Sequence, residues 1–486
     1  MPIMKASLRR PKTRIPTRTH AAASTCPTYP LPTPSSSAVR SKMSMFFDEL
    51  ATNVSAVLKA HSAKGGVSLS IVYNDTVIWN GGFGHINETD PDLGPPTGDT
   101  AFRVGSITKL FTALLMYQMR DEGLIRSIDS DVASYNTQFS IKSNFRTNRS
   151  ITFKQLASHM SGLPRESPCA GIFDTGCAAT YEEIYQRLAE SELMLPPGLQ
   201  PSYSNLGFAL LGRSLEVVED TTWENQMRAR VLDPLGMAHS GTSITDDVKA
   251  YLAVGYYPDG SVASLIDIGW EAPAGQLFST TNDLAKFMAL IFQPKATLDP
   301  TSGQIVDGET LREWMNAAYT YLDGTGYGHP WEMFPFGNFM LRTKAGLING
   351  YTSEFRMAPE IKIGYIFLDS CDECSSHGPI IDLADQNPAD YAGSYQTSDL
   401  TTATIQTVTI LNEPILEIST DGLSGFLVWQ GGDAFQLSVE WYSSVSCGFL
   451  SDGWIGEWLY FTRDSQGAVN GFTLPGEDYG NVYKKN

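Results

Sequence analysis

A chain of 486 residues with 42 % hydrophobic and 18 % charged residues holds enough apolar material for a buried core, which excludes the collagen-like, coiled-coil and disordered classes. Acids outnumber Lys and Arg by 53 to 34, and the formal net charge of −19 excludes polyanions such as nucleic acid, and anionic membrane faces, as natural partners. A small ligand of low charge suits it better, and the length corresponds to two or three folded units at roughly 100 to 200 residues each.

No acidic residue precedes Asp48, while Lys5, Arg9, Arg10, Lys12, Arg14, Arg18, Arg40 and Lys42 are basic and Pro, Ser and Thr fill the stretch. Residues 1–45 are therefore expected to be a flexible tail outside the fold. Its acid-free, Arg-rich composition is that of an organellar transit peptide, but the prolines break the amphipathic helix such a peptide needs. Glycosylation acceptors at Asn53, Asn74, Asn87 and Asn148, with six cysteines, point instead to a secreted protein, so the compartment stays open between secreted, cytoplasmic and mitochondrial. No run reaches the roughly 18 apolar residues of a membrane span.

From Gly66, β-branched and apolar residues flank Asn74-Asp75, which predicts a hairpin ending near Trp79. Leu110, Leu114, Leu115 and Met119 predict a core helix over 106–122, stopped by Gly123 and with Ser106 in its first turn. Thr152 and Gln155 form a capping-box pattern before a short helix that ends ahead of Ser161. Cys169 and Cys177 could close a small loop, whereas Cys371-Asp-Glu-Cys374 is a close pair with only a weak case for zinc or redox work. Helical spacing returns at Leu206, Leu210, Leu211 and Leu215, with Tyr203 expected to begin that helix, and again at Leu284, Phe287, Met288 and Ile291 behind a cap at 279–283. Strands then follow over 351–368 around Ala358-Pro359-Glu360, so the pattern to this point is α+β. After Pro388, short alternating runs broken by Gly and Asp predict a separate all-β barrel or sandwich over 388–486.

Ser106-Ile-Thr-Lys109 supplies a nucleophile with a base one helical turn away. Lys109 can take the serine proton only if burial and neighbouring charge lower its pKa from about 10.4 toward 7 to 8. Tyr203-Ser-Asn205 adds a phenol that a nearby cation would acidify into a second proton carrier. Lys344-Ala-Gly346 places a lysine on an expected strand edge, where it could fix an anionic part of the substrate beside a backbone donor. Each piece alone is weak: Tyr479-Gly-Asn481, Lys64-Gly-Gly66 and Lys362-Ile-Gly364 repeat the same spacings. Their order, each at the boundary of a predicted core element, carries the inference. The absence of a G-x-S-x-G elbow argues against a Ser-His-Asp hydrolase of the α/β type, and with only the weak Cys371–Cys374 pair as a metal spacing, neither a cofactor nor a metal is expected.

With Phe102–Lys109, Leu156–Pro164, Tyr203–Gly207, Pro273–Thr280 and Gly350–Ser353 in this order, the chain resembles the serine β-lactamase and penicillin-binding-protein superfamily, in particular its class C-like branch with fungal β-lactamase-like hydrolases and β-lactamase-fold esterases. The resemblance covers about 46–380. It implies an α/β/α sandwich with an antiparallel sheet beside a helical region, the site lying between them, and a β-rich tail domain is seen in other members.

Carried over, Ser106 would be the acylated nucleophile, Lys109 the base and Tyr203 the second proton carrier. Asn205 would orient lysines and the acyl amide, Lys344 would set the field at Tyr203, and the backbone N–H groups of Ser106 and Leu347, beside Gly346, would form the oxyanion hole. His159 is read as structural. The family usually carries Thr or Ser at the position of Ala345 and Ser or Gly at that of Leu347. Losing that hydroxyl removes a donor worth about 1 to 3 kcal/mol to a substrate carboxylate, which demotes β-lactams and favours a less acidic ester, thioester or amide. The expected activity is serine hydrolysis through an acyl-enzyme. The alternatives are an acyltransferase or tailoring hydrolase of small-molecule biosynthesis, and a sensor that acylates without turnover.

Overall fold

A computed structural model describes residues 37–60, 64–143, 145, 150–169, 176–294, 303–321, 324–337, 339–371, 388–396, 402–410, 413–420, 424–431, 434–438, 458–473 and 482–485. An eight-stranded antiparallel sheet runs in the spatial order Thr76–Gly84, Gly66–Tyr73, Ile363–Asp369, Tyr351–Ala358, Phe339–Ile348, Glu332–Phe336, Gly326–Tyr327 and Tyr319–Thr320. The predicted hairpin forms its first two strands, with Asn74 at φ 58° in the left-handed region that short Asn turns favour.

Period-two alternation in Gly66–Tyr73 covers both faces of the sheet. Val67 and Leu69 pack with Leu50 and Val54 of helix Ser37–Ala60, while Ser68 reaches Thr281 on helix Thr281–Phe292 behind the other face. The layering is therefore helix, sheet, helix, as in the expected sandwich. Helix Ser37–Ala60 starts inside the stretch expected to be tail, because the apolar positions Leu50 and Val54 give it a sheet face to cover. Residues 1–36 lie outside the described residues.

The helical region is built on Thr108–Asp121, which is buried from Thr108 to Met119. Helix Asn205–Glu219, capped by the Ser204 side chain, packs beside it. The capping box at Thr152 and Gln155 forms as its residues indicate. Tyr181–Glu190 is a further capped helix that the apolar spacing did not reveal, since it buries only Ile184, Tyr185 and Leu188. Phe111, Phe287, Trp314, Trp331 and Phe355 join the helices to the sheet through aromatic contacts.

Eight further strands from Gly393–Gln396 to Val482–Lys485 close into a barrel whose interior is filled by Tyr395, Leu416, Leu427, Phe461, Phe472 and Tyr483 among others. Strands Val469–Thr473 and Val482–Lys485 complete the closure beyond the runs apparent in the sequence. Cys169 and Cys177 are bonded, closing the small loop. Cys371 is also disulfide-bonded, which leaves it no free thiol for a metal, while Cys374 and Tyr479 to Asn481 lie outside the described residues.

Candidate active site

The position of Ser106, the candidate nucleophile, is made by a change of backbone direction. Strand Phe102–Arg103 pairs with Phe278–Ser279, and the chain then turns through Gly105 at φ 46° into a 3-10 turn Gly105–Ile107. Ser106 therefore sits on that turn, two residues before the α-helix that begins at Thr108, and not on the helix as its periodicity suggests. Segment 273–277 is tied along the same helix: Thr112 Oγ1 donates to the Pro273 carbonyl at 2.8 Å, and Leu277 N–H donates to Thr108 Oγ1 at 3.1 Å.

These ties bring the carbonyl of Ala274 to Lys109. The Lys109 ammonium is fully buried and donates to Ser106 Oγ at 2.9 Å, Asn205 Oδ1 at 2.7 Å and Ala274 O at 2.7 Å. Tyr203 Oη also donates to Ser106 Oγ, at 2.8 Å. The four residues Ser106, Lys109, Tyr203 and Asn205 thus meet at one point although 97 positions separate Ser106 from Tyr203. Burial lowers the Lys109 pKa, an effect that Tyr203 opposes and Lys344 reinforces. Desolvation alone would raise the Tyr203 phenol, but the ammonium groups of Lys109 and Lys344 outweigh it and hold the phenol below its ordinary value. Both groups therefore sit below their ordinary pKa values.

Lys344 lies inside strand Phe339–Ile348, the fifth of the eight, and not on a sheet edge. Its ammonium sits 5.1 Å from the centre of the Tyr203 ring and is hydrogen-bonded to Glu332. Burial would lower the Lys344 pKa, but Glu332 and Tyr203 raise it, so it stays charged. The Lys344 charge is thus shared between Glu332 and the Tyr203 ring.

Gly346 brings the strand against the nucleophile's backbone: a Cβ there would lie 2.9 Å from Ser106 N and 2.1 Å from Val104 O. The next residue, Leu347, is 51 % exposed and lines the cavity with Ala345, Ile348 and Asn349. The cavity encloses about 480 Å³ and contains Ser106, Tyr203, Asn205 and Lys344 in its wall. A second cavity of about 380 Å³, beside Asp75 and Lys286, holds no nucleophile with a base.

Three acidic residues of the site escaped the sequence reading. Glu166 accepts from Asn205 Nδ2 at 3.0 and 2.9 Å and pairs with Arg165 at 3.2 Å. Glu271, 1 % exposed, accepts from Ser167 N–H at 2.6 Å, and burial pushes its carboxyl pKa up. Glu332 is the third. A usable signal existed for two of them, since Glu166 stands two residues past the end of the 156–164 motif and Glu271 two residues before the start of 273–280. The lysine pair is therefore matched by carboxylates within the site and is not the isolated positive cluster that the two lysines alone suggest.

His159 is 1 % exposed and stacks on Tyr203 with ring centres 4.2 Å apart. Burial, then Lys109 and Lys344, holds its pKa well below the ordinary value, so it is neutral. Among the described residues no cluster of His, Cys, Asp and Glu could hold a metal ion, and no helix is long and apolar enough to cross a membrane.

A family model described as Beta-lactamase matches residues 53–372. "Beta-lactamase-like protein 2" of Dictyostelium discoideum is 39 % identical over 308 residues, covering 61 % of this chain and 54 % of that protein. "Beta-lactamase-like protein 4" of the same organism is 33 % identical over 359 residues, covering 70 % and 62 % respectively. The chain thus spans somewhat over half the length of these relatives. Among solved structures, the octameric penicillin-binding protein homologue of Pyrococcus abyssi aligns with TM-score 0.58 and 20 % identity over 90 % of this chain and all of that one. A class C beta-lactamase aligns with TM-score 0.57 and 19 % identity over 67 % of this chain and 91 % of its own. These last two share the fold. The extent of the family match and the identity to the Dictyostelium proteins make this chain a member of the serine β-lactamase and penicillin-binding-protein superfamily.

Proposed function

We propose that the protein is a serine hydrolase of esters or amides that works through an acyl-serine intermediate. The observation that carries this reading is the closed chain of contacts in which Ser106 Oγ lies 2.9 Å from Lys109 Nζ and 2.8 Å from Tyr203 Oη. In the reaction, Lys109, its pKa lowered by burial, acts as the neutral amine: having lost the proton it donates to Ser106 Oγ, it takes the serine proton as that oxygen attacks the carbonyl carbon. The oxyanion is held by the backbone N–H groups of Ser106 and Leu347, and Tyr203 delivers a proton to the leaving group as its bond to the carbonyl breaks. Water then cleaves the acyl ester, giving one proton to the Tyr203 phenolate while Ser106 Oγ takes one back from Lys109, which restores both groups. Asn205 keeps Lys109 aimed, through Oδ1 at 2.7 Å, and Glu166 fixes the orientation of that amide.

The substrate class follows from the cavity wall. Ala345 offers no hydroxyl, Lys344 is engaged by Glu332, and Leu347 adds an exposed apolar side chain. These features favour an uncharged acyl group over a β-lactam or peptide carboxylate. Intact-protein mass spectrometry after treatment with a fluorophosphonate tests the reading, with p-nitrophenyl esters of graded length run beside nitrocefin. One adduct, mapped to Ser106 and lost in Ser106→Ala, is expected. Absence of any adduct together with no ester turnover would sink it.

A further inference from the structure

We propose that His159 is a positioning residue for Tyr203, clamping the tyrosine from both chain directions and carrying its ring on the imidazole face; this rests on the reading that Tyr203 exchanges protons with Ser106. The main-chain carbonyl of His159 accepts from Ser202 N–H at 2.8 Å, and its Nδ1 accepts from Ser204 N–H at 3.1 Å. The residues immediately before and after Tyr203 are thus held by one histidine. Between them the two rings stack with centres 4.2 Å apart and planes 26° from parallel.

Two further observations separate this from ordinary core packing. His159 occupies the left-handed region at φ 59°, an uncommon conformation for a residue with a Cβ, so the chain is bent to present this side chain here. Its Nε2 has no hydrogen-bond partner among the described residues, so the ring orientation serves Ser204 and Tyr203 and not a pairing of its own outer nitrogen. An Nδ1 that accepts must be unprotonated, which fixes the tautomer with hydrogen on Nε2. The neutral state matters as well. Lys109, Lys344 and Arg165 already stand 5.0, 5.1 and 5.2 Å from the Tyr203 ring centre, and a charged imidazolium on its face would add a fourth cation. Phe208 and Tyr327 enclose the remaining sides of the imidazole at 5.1 and 6.1 Å.

The test is a double-mutant cycle on the full chain, read as kcat and KM for an activated ester and as the rate of fluorophosphonate labelling. His159→Phe keeps an aromatic face and removes the acceptor. It is expected to lower kcat at least about tenfold with KM within about twofold, as loss of a positioned proton carrier does. In a Tyr203→Phe background the same substitution should cost less than about twofold, because the group it positions is already gone. If His159→Phe does not fold, the cycle is run with His159→Asn, which tolerates the left-handed backbone. Equal losses in both backgrounds, or an unchanged kcat, would overturn the assignment while leaving the acyl-serine reading intact. A wild-type chain that does not label at Ser106 would fail the catalytic reading itself, and the role of His159 with it.

Discussion

Removing the Lys109 amine tests the proposed chemistry at its centre. Its three bonds, to Ser106, Asn205 and Ala274, use all three ammonium hydrogens, so no other group can take its place without moving. Loss of a positioned proton acceptor costs about 10² to 10⁴ in rate, or roughly 3 to 5 kcal/mol in the acylation barrier. Lys109→Met is the cleaner variant because it fills the space of the stem. It still orphans the Ala274 carbonyl and Asn205 Oδ1, at about 1 to 3 kcal/mol each, against which stands the relief of a buried charge. A second signature follows from electrostatics. Lys109 is the first of the cations that hold the Tyr203 phenol down, so without it the phenol pKa rises. Residual activity that relies on the Tyr203 phenolate should therefore appear only at more alkaline pH than in the wild type. Stopped-flow burst kinetics of p-nitrophenyl acetate across pH, with circular dichroism to confirm folding, measures both effects. A folded Lys109→Met variant whose acylation rate stays within threefold of wild type, with an unmoved pH profile, would refute the assignment of the base.

Gly346→Ala would place a Cβ 2.6 Å from Ser353 Oγ and 2.1 Å from Val104 O, forcing the strand away from Ser106. Since removal of one oxyanion donor costs about 10² to 10³, the ester hydrolysis rate should fall by at least about a hundredfold, and a rate within fivefold of wild type would argue against an oxyanion hole at this strand. His329 is buried, and burial lowers its pKa from 6.5 to about 4. A base whose folded pKa is depressed binds protons preferentially in the unfolded chain, so stability is present above pH 6.5 and lost as pH falls toward 4, by about 3 kcal/mol in total. Urea unfolding of His329→Gln should show a shallower loss over that interval, and parallel slopes for variant and wild type would remove the histidine as its source.

Much of the site was legible because its parts sit at element boundaries, where local patterning is strongest. Ser106 stands at the head of an apolar run, Tyr203 just before a capped helix, and Lys344 near Gly346. The carboxylates were less visible. Glu332 belongs to no motif, and its role depends on strand Glu332–Phe336 lying beside Phe339–Ile348. The position of Ser106 on a 3-10 turn was likewise hidden, since periodicity reports which residues face the core and not how tightly the first turn is wound. Lys344 was misjudged as an edge residue for a similar reason: strands Glu332–Phe336, Gly326–Tyr327 and Tyr319–Thr320, which cover its outer side, are short and carry weak alternation.

By itself, the sequence determined the α+β catalytic fold followed by a β-rich segment, the hairpin at Asn74, the capped helices, and the identity of Ser106, Lys109, Tyr203 and Lys344 as candidates, because each of these is encoded by neighbours within a few residues. Only the tertiary structure decided that Glu166, Glu271 and Glu332 accompany the lysines, that His159 lies under Tyr203, and that the final strands close into a barrel. Those are relations between distant segments, fixed by packing and by the field that buried charges share, and no local pattern carries them.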